Sequence, residues 1–229
     1  MTTKHKNPVI TIYGHDFERI PIKTKILGPE DDMAQIILDY AKPLMQDGDI
    51  LTISESPLAI TQGRAIPVQD IKVGIWARIL SRFVAKVPYG IGLRAPTSMQ
   101  CAIDETGLFR ILLAAKIGAI SKLFGRKGDF YRVAGMQAAL VDAASTSPVP
   151  PYTETVIKGP KDPMGEALRL SSVLEHPVAI MDINDIGGSW MIGGAGGVSK
   201  DFIEMAMKDN PQGQADELTP LCIVRRLAN

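Results

Sequence analysis

The chain has 229 residues, of which 45% are hydrophobic, and its 25 Lys and Arg balance its 25 Asp and Glu. A chain of this length buries a sizeable core in one large domain or two small ones. The balanced charge argues against a dedicated nucleic-acid-binding protein, which usually carries a basic excess. Two cysteines without a CxxC motif and three scattered histidines argue against a disulfide framework and a zinc site.

We expect a cytoplasmic protein without a membrane segment. The first ten residues contain no apolar stretch of the kind that a signal peptide carries. The longest apolar run, over 108–120, contains Arg110 and Lys116 and falls short of the roughly 20 apolar residues that a membrane helix needs.

The first part of the chain is predicted to contain two strands and two helices. Alternating apolar residues predict a strand within 7–20. An acidic first turn predicts a helix over 29–45. An Asp-Gly turn and a buried strand follow within 46–56. Periodic apolar residues then predict an amphipathic helix over 73–87.

This amphipathic helix is predicted to have one packed face and one solvated face. The residues expected to pack are Trp76, Ile79, Leu80, Phe83 and Val84. The basic residues that recur on another face at a spacing of four are Arg78, Arg82 and Lys86. We interpret the basic face as a solvated surface.

The second part of the chain is predicted to mix helices and strands. The predicted helices cover 107–125, 165–175 and 199–210, and the predicted strands cover 176–185 and 219–227. Ser199 is the candidate N-cap of the last helix. Because the elements follow no strict βαβ repeat, an α+β fold is favoured over a doubly wound sheet.

The strongest indication of chemistry is an acidic cluster, Asp182, Asn184 and Asp185, which six glycines follow closely. We expect Asp182 to project from the end of an apolar strand, where catalytic and metal-binding acids are common. The glycines, beginning with Gly187 and Gly188, could bring backbone N–H groups close to phosphate oxygens. The alternative is a turn and a glycine-rich hairpin with solvated carboxylates.

A second acidic pair, Asp104 and Glu105, follows a short apolar stretch and is expected at another strand end. Two such carboxylates, Asp104 and Asp182, could share Mg²⁺ or Mn²⁺, because these ions prefer carboxylate, carbonyl and water oxygens.

Two more residues have both a functional and a structural interpretation. The guanidinium of Arg64 suits bidentate contact with a phosphate, and a salt bridge that closes its turn is the alternative. Cys101 is expected to be a buried small residue rather than a nucleophile, since no histidine lies near it in the sequence.

Four short motifs occur in the order that they have in the coenzyme F-420 gamma-glutamyl ligase family, which the chain resembles. They are DGDILTISESPLAITQGR (47–64), CAIDETG (101–107), GPKDPMGEALRL (159–170) and HPVAIMDIND (176–185). The resemblance covers most of residues 9 to 190.

The resemblance implies an intertwined α+β homodimer, with a single domain over 1–229 and a possible insert at about 108–145. It implies an enzyme that uses GTP and Mg²⁺ or Mn²⁺ to activate a substrate carboxylate as an acyl phosphate, which L-glutamate converts to an amide. The balanced charge and the short apolar run, rather than the resemblance, predict no nucleic-acid or membrane partner. The implied metal ligands are Asp104 and Asp182, and Asn184 matches the asparagine of the family's D-x-N motif. The residues that we predict to bind the nucleotide or the substrate are Arg64, Glu105, Asn184, Asp185, Gly187 and Gly188.

The chain departs from the family's pattern at a lysine that approaches the nucleotide phosphates. Ile60 stands at that position, within AITQGR. Candidates for replacement charge are Arg126, Lys127, Lys158 and Lys161. Phosphoryl transfer depends on positioned positive charge. A non-catalytic protein that binds a metal–nucleotide or a flavin-like ligand on the same fold is therefore the alternative to a ligase.

Overall fold

The computed structural model describes residues 6–84, 92–126, 128–144, 146–185, 188–214 and 216–227. The chain divides into two compact units. We call residues 1–63 and 160–229 the terminal unit, and residues 64–159 the middle unit.

The described residues form strands and α-helices in both units. In chain order the strands are β1 (Val9–Ile12), β2 (His15–Ile22), β3 (Ile50–Ser54), β4 (Ala65–Pro67), β5 (Thr155–Ile157), β6 (Val178–Asn184), β7 (Gly188–Ala195) and β8 (Leu221–Arg226). The α-helices are α1 (Met33–Ile36), α2 (Glu55–Thr61), α3 (Ile75–Phe83), α4 (Pro96–Thr106), α5 (Leu108–Leu123), α6 (Asp129–Ala134), α7 (Met136–Ala139), α8 (Pro163–Leu174) and α9 (Lys200–Ala206). Helix α1 continues as a π-helix, Ile37–Ala41, and a 3₁₀-helix, Lys42–Leu44.

The terminal unit contains a six-stranded sheet in the order β1-β2-β8-β3-β6-β7. Strands β3 and β6 are parallel, and the other neighbouring strands are antiparallel. The predicted α+β class is therefore confirmed, as are the strands predicted within 46–56, 176–185 and 219–227. Helix α9 begins after Ser199, whose hydroxyl accepts a hydrogen bond from the Phe202 N–H, so the predicted cap is confirmed.

The single strand predicted within 7–20 is wrong, because the structure has a hairpin there. Strands β1 and β2 pair from Ile12 opposite His15, and the turn between them is Tyr13-Gly14. Both turn residues have positive φ, 51° and 79°, which suits a two-residue hairpin turn. Apolar alternation continues on both sides of the turn, so periodicity alone does not reveal the reversal.

The last residue of the DGD motif, Asp49, forms hydrogen bonds with Arg225 of strand β8. Asp49 is buried and accepts hydrogen bonds from Arg225 Nε at 3.0 Å and Nη2 at 2.7 Å. It also accepts one from the Gln46 N–H at 2.8 Å. These bonds satisfy a carboxylate that would otherwise be costly to bury.

The middle unit packs its helices around a core that includes Leu93, Met99 and Ile111. Strands β4 and β5 form a separate antiparallel pair in this unit. Within the described residues, no helix has both the length and the apolar content that crossing a bilayer requires.

The predicted packed face of α3 is wrong in most of its residues. Trp76, Ile79 and Phe83 are exposed, whereas Ala77 and Ser81 are the buried residues of the helix. Small side chains at 77 and 81 allow a close approach of α3 to its neighbours in the unit. The bulky residues therefore point outward, which helical periodicity cannot anticipate.

Candidate functional site

Asp182 lies inside β6, two residues before its last residue, Asn184, and opposite Trp190. The pairing register with β7 shifts between Ile180, opposite Gly193, and Met181, opposite Met191, so β7 has one extra residue there. Bulges re-aim side chains and are common beside functional sites. The predicted position at a strand end is thus corrected by two residues, because hydrogen-bonded pairing with β7 continues to Asn184.

The Asp182 carboxyl lies in a desolvated position on the sheet. Its neighbours Met181 and Ile183 pack in the apolar cluster that includes α9, so strand alternation turns Asp182 to the opposite face. Burial raises the pKa of Asp182 above its usual value. No hydrogen bond or ion pair joins this carboxylate to another described residue. A bound cation would stabilise the ionised form of such a desolvated carboxylate.

The described residues that follow Asp182 are held by side-chain hydrogen bonds. Asn184 Oδ1 accepts a hydrogen bond from the Gly188 N–H at 2.9 Å. Asp185 Oδ1 accepts hydrogen bonds from Asn210 Nδ2 at 2.8 Å and from Lys6 Nζ at 3.1 Å. Asn184, Asp185 and Gly188 are therefore held together beside Asp182, while Gly187 lies outside the described residues.

Most of the glycine-rich stretch is a strand rather than a loop. Residues 188–195 form β7 and pair with β6, which corrects the loop interpretation and agrees with the glycine-rich hairpin named as its alternative. A Cβ at Gly193 would lie 2.2 Å from the Pro163 carbonyl oxygen, at the start of α8. Glycine at this position allows the backbone of α8 to approach the sheet.

Replacing Gly193 by alanine is expected to lower the free energy of unfolding by about 3 kcal/mol, because the added methyl group meets backbone that cannot rotate away. Urea unfolding measures this loss. Gly194→Ala is the matched control: its Cβ would meet only the flexible Met191 side chain, at 2.9 Å. Equal losses in the two variants would contradict the explanation.

Asp104 and Glu105 lie in the last turn of α4, so the prediction of a second strand end is wrong. Apolar residues at 99, 101 and 102 make a buried helical face, and so short a run does not distinguish a helix from a strand. Asp104 is exposed, and its Oδ1 accepts a hydrogen bond from Gln100 Nε2 at 2.7 Å. Its carboxylate is accessible to a ligand.

Glu105 points inward and joins two basic residues. Its Oε2 accepts a hydrogen bond from Arg64 Nη2 at 2.7 Å, and its Oε1 lies 2.7 Å from Lys158 Nζ. Arg64 is buried and also donates to Gln137 Oε1 at 3.1 Å and to the Gly159 carbonyl oxygen. The structure thus contains the salt bridge named as the alternative role of Arg64, and this network holds the end of α4 beside Asp104.

Electrostatics favour the ionised form of Glu105. Burial alone would raise its pKa, but hydrogen bonds from Lys158 and Arg64 outweigh burial and hold the pKa below its usual value. The sequence suggests for Lys158 only a role as replacement charge beside a phosphate, and no motif in the sequence indicates Gln137. These partners are distant along the chain, so no local pattern indicates them.

The other candidates for replacement charge have varied surroundings. Arg126 forms an ion pair with Asp129, at 3.0 Å between Nε and Oδ2. Lys161 is exposed, and its backbone N–H donates to Gln62 Oε1 at 2.7 Å. Lys127 lies outside the described residues. Ile60, at the position of the family's lysine, is buried in α2.

Cys101 is buried, and burial raises its pKa to about 11. A thiol with this pKa is protonated at neutral pH and is a poor nucleophile. The expected burial of Cys101 is thus confirmed.

The available donors fit a hard divalent cation. Among the described residues, no group of three or more His, Cys, Asp and Glu side chains could hold a metal ion. Mg²⁺ typically keeps several waters and binds through one or two carboxylates together with substrate phosphates, so it needs no complete protein cage. Asp182 of the terminal unit and Asp104 of the middle unit each carry one carboxylate of the type that such a cation binds.

Comparison with known proteins identifies the family of the chain. The family model described as F420-0:gamma-glutamyl ligase matches residues 21–200, which is most of the chain. No curated protein matches the sequence.

Proposed function

Since the chain belongs to the F420-0:gamma-glutamyl ligase family, we propose that it joins L-glutamate to a substrate carboxylate in a reaction that consumes GTP and requires Mg²⁺ or Mn²⁺. The observation that carries the proposal is Asp182, a desolvated carboxyl near the end of β6 whose pKa is raised by burial. We further propose a cytoplasmic location and no nucleic-acid or membrane partner.

The proposed reaction has two steps. A carboxylate oxygen of the acceptor attacks the γ-phosphorus of GTP, and GDP leaves. The amine of L-glutamate then attacks the acyl carbon of the acyl phosphate; phosphate leaves, the amine loses a proton and an amide forms. A bound divalent cation would neutralise charge on the transferring phosphoryl group.

The residues of the site have distinct roles in this proposal. Asp182 and Asp104 offer carboxylate oxygens to the cation. Asn184, Asp185, Gly187 and Gly188 are the residues proposed to bind the nucleotide or the acceptor. Arg64 and Glu105 are proposed to position Asp104, because their ion pair holds the last turn of α4, which carries Asp104.

Phosphate release tests the proposal directly. The protein is incubated with GTP, Mn²⁺, L-glutamate and coenzyme F420-0, the acceptor named by the family description. We expect phosphate release that requires all four components, and an acceptor whose mass increases by one glutamyl residue. If the protein binds GTP in a metal-dependent way but releases no phosphate with any carboxylate acceptor tested, the proposed ligase activity is contradicted.

One observation favours a second function, that of a non-catalytic metal–nucleotide or flavin-like ligand-binding protein. Ile60 replaces the family's phosphate-binding lysine and is buried, so this position offers no positive charge to a phosphate. Such a protein would bind GTP or a flavin-like ligand with no turnover, and the phosphate-release assay separates it from a ligase.

We also propose that the protein is a homodimer that packs through apolar residues of the middle unit. Phe83 at the end of α3 is 82% exposed, and Phe109 in the first turn of α5 is 89% exposed. Leu113 and Leu123 of α5 are exposed as well. Burial of such exposed apolar side chains against a second copy of the chain would stabilise a dimer.

The variant Phe83→Ser/Phe109→Ser is expected to shift the wild-type dimer to monomer in sedimentation velocity, because it removes two anchor side chains. Leu168→Ser is the matched control, since Leu168 is 56% exposed on α8 of the terminal unit. A wild-type protein that sediments as a monomer at about 50 μM, a concentration at which a stable dimer forms, would contradict the proposal.

A further inference from the structure

A basic cleft lies on the middle unit. It is open to solvent, has a volume of about 420 Å³ and is lined by Arg78, Ser81, Arg82, Arg94 and Pro96. Arg78 and Arg82 are four residues apart on α3, and Arg94 ends the short 3₁₀-helix Gly92–Arg94. Two separate elements thus direct three guanidinium groups to one cleft.

The three cleft arginines are not used in the fold. All three are exposed, and no hydrogen bond or ion pair joins their side chains to another residue in the described part of the chain. Arg64 and Arg225, by contrast, pair with buried or partly buried carboxylates. The interpretation of Arg78 and Arg82 as a merely solvated face is therefore incomplete, while Lys86 lies outside the described residues.

The surroundings strengthen the positive potential of the cleft. The middle unit has 13 Lys and Arg against 6 Asp and Glu, whereas the terminal unit has 12 against 19. The balanced charge of the whole chain hides this asymmetry. Helix α4 begins at Pro96 without a side-chain cap, so the positive end of its dipole lies at the cleft. Charge of one sign that lines a concave surface concentrates anions there.

We propose that this cleft binds a phosphate-type oxyanion of a small molecule, and that it does so without a metal ion. Arginine is the side chain best suited to a phosphate, because its planar fork donates two parallel hydrogen bonds. A volume of about 420 Å³ is typical of a small-molecule site and leaves room for a polyphosphate or for a phosphate with an attached organic group. The site does not depend on the proposed ligase reaction.

The test is calorimetric titration of the full chain with pyrophosphate, in EDTA and at low ionic strength. We expect saturable binding that Arg82→Gln/Arg94→Gln weakens at least about tenfold, since two charged hydrogen-bond donors are lost. Because both side chains are exposed, the thermal midpoint of the variant should equal that of the wild type. EDTA separates this result from the metal-dependent GTP binding of the proposed ligase.

The matched control is Lys116→Gln, which removes one positive charge from an exposed position on α5 of the same unit. We expect it to change the affinity less than twofold, the size of a screened long-range effect. Absence of pyrophosphate binding to the wild type would overturn the proposal. Equal weakening by the control and the cleft variant would also overturn it, because attraction would then be diffuse.

Two comparisons identify the chemistry and the source of the oxyanion. Citrate has a charge similar to that of pyrophosphate but carries carboxylate groups instead of phosphate groups. If citrate binds as tightly as pyrophosphate, the phosphate assignment is overturned. GTP in EDTA is compared with tripolyphosphate. Tighter binding of GTP supports a nucleotide as the source, and equal binding supports recognition of the phosphate groups alone.

Discussion

Replacing Asp182 by asparagine is expected to weaken metal-dependent GTP binding at least about 100-fold, because a metal ligand is lost. The same change should stabilise the metal-free protein by about 1 kcal/mol, as substitutions at strained functional sites commonly do. Both effects have one cause: the carboxylate is desolvated, which is unfavourable without a cation and favourable with one.

The pH dependence of stability gives an independent test of this explanation. Burial raises the pKa of Asp182 in the folded protein, so the folded state binds the proton more tightly than the unfolded state. The stability that protonated Asp182 contributes is fully present below its unfolded pKa of about 3.9 and is lost as the pH rises through the raised folded pKa. The difference between wild type and Asp182→Asn should therefore shrink on acidification from neutral pH.

Two measurements check these expectations. Calorimetric titration with GTP, with and without Mn²⁺, gives the affinity, and thermal unfolding in EDTA gives the stability. Asp216→Asn is the control, since Asp216 is an exposed acid of the same unit. Unchanged GTP affinity in Asp182→Asn would exclude Asp182 as a ligand, and reduced stability in EDTA would show that the carboxylate has an internal structural role.

Replacing Glu105 by alanine is expected to lower the free energy of unfolding by about 3 to 5 kcal/mol, the usual cost of breaking a buried ion pair from one side. The substitution leaves the buried guanidinium of Arg64 and the partly buried Lys158 ammonium without their shared carboxylate. Urea unfolding measures the loss. We expect Glu105→Gln to lose less, because its amide oxygen still accepts one hydrogen bond.

The neighbouring Asp104→Ala provides a matched control for Glu105. Asp104 is exposed, and within the described part of the chain its side chain accepts a hydrogen bond only from Gln100, so its loss should cost no more than about 0.5 kcal/mol. Similar stabilities of the two alanine variants would contradict the structural role of Glu105.

The pH profile of unfolding has the opposite sign for Glu105 and for Asp182. The pKa of Glu105 is lowered in the folded protein, so its ionised form contributes stability above the unfolded pKa of about 4.3. This contribution is lost as the pH falls through the lowered folded pKa. Acid should thus reduce the difference between wild type and Glu105→Ala.

Some features of this protein depend only on residues that are close in the chain, so they can be predicted from the sequence. The strand of 178–184, the last strand and the Ser199 cap follow from local periodicity and capping chemistry. The order of four short motifs identified the family, because a collinear set carries more information than any of its members. The α+β class followed from the mixture of elements.

Other features depend on contacts between residues that are far apart in the sequence, so they become apparent only in the folded structure. Gly193 is required because α8 approaches the sheet there, so its role is packing rather than phosphate contact. Glu105 faces Arg64, 41 residues earlier, while adjacent Asp104 faces solvent, because successive residues of a helix point about 100° apart. The exposed face of α3 was likewise decided by the small residues that its neighbours bury. Periodicity shows that a helix has two faces, but the packing partners determine which one is covered.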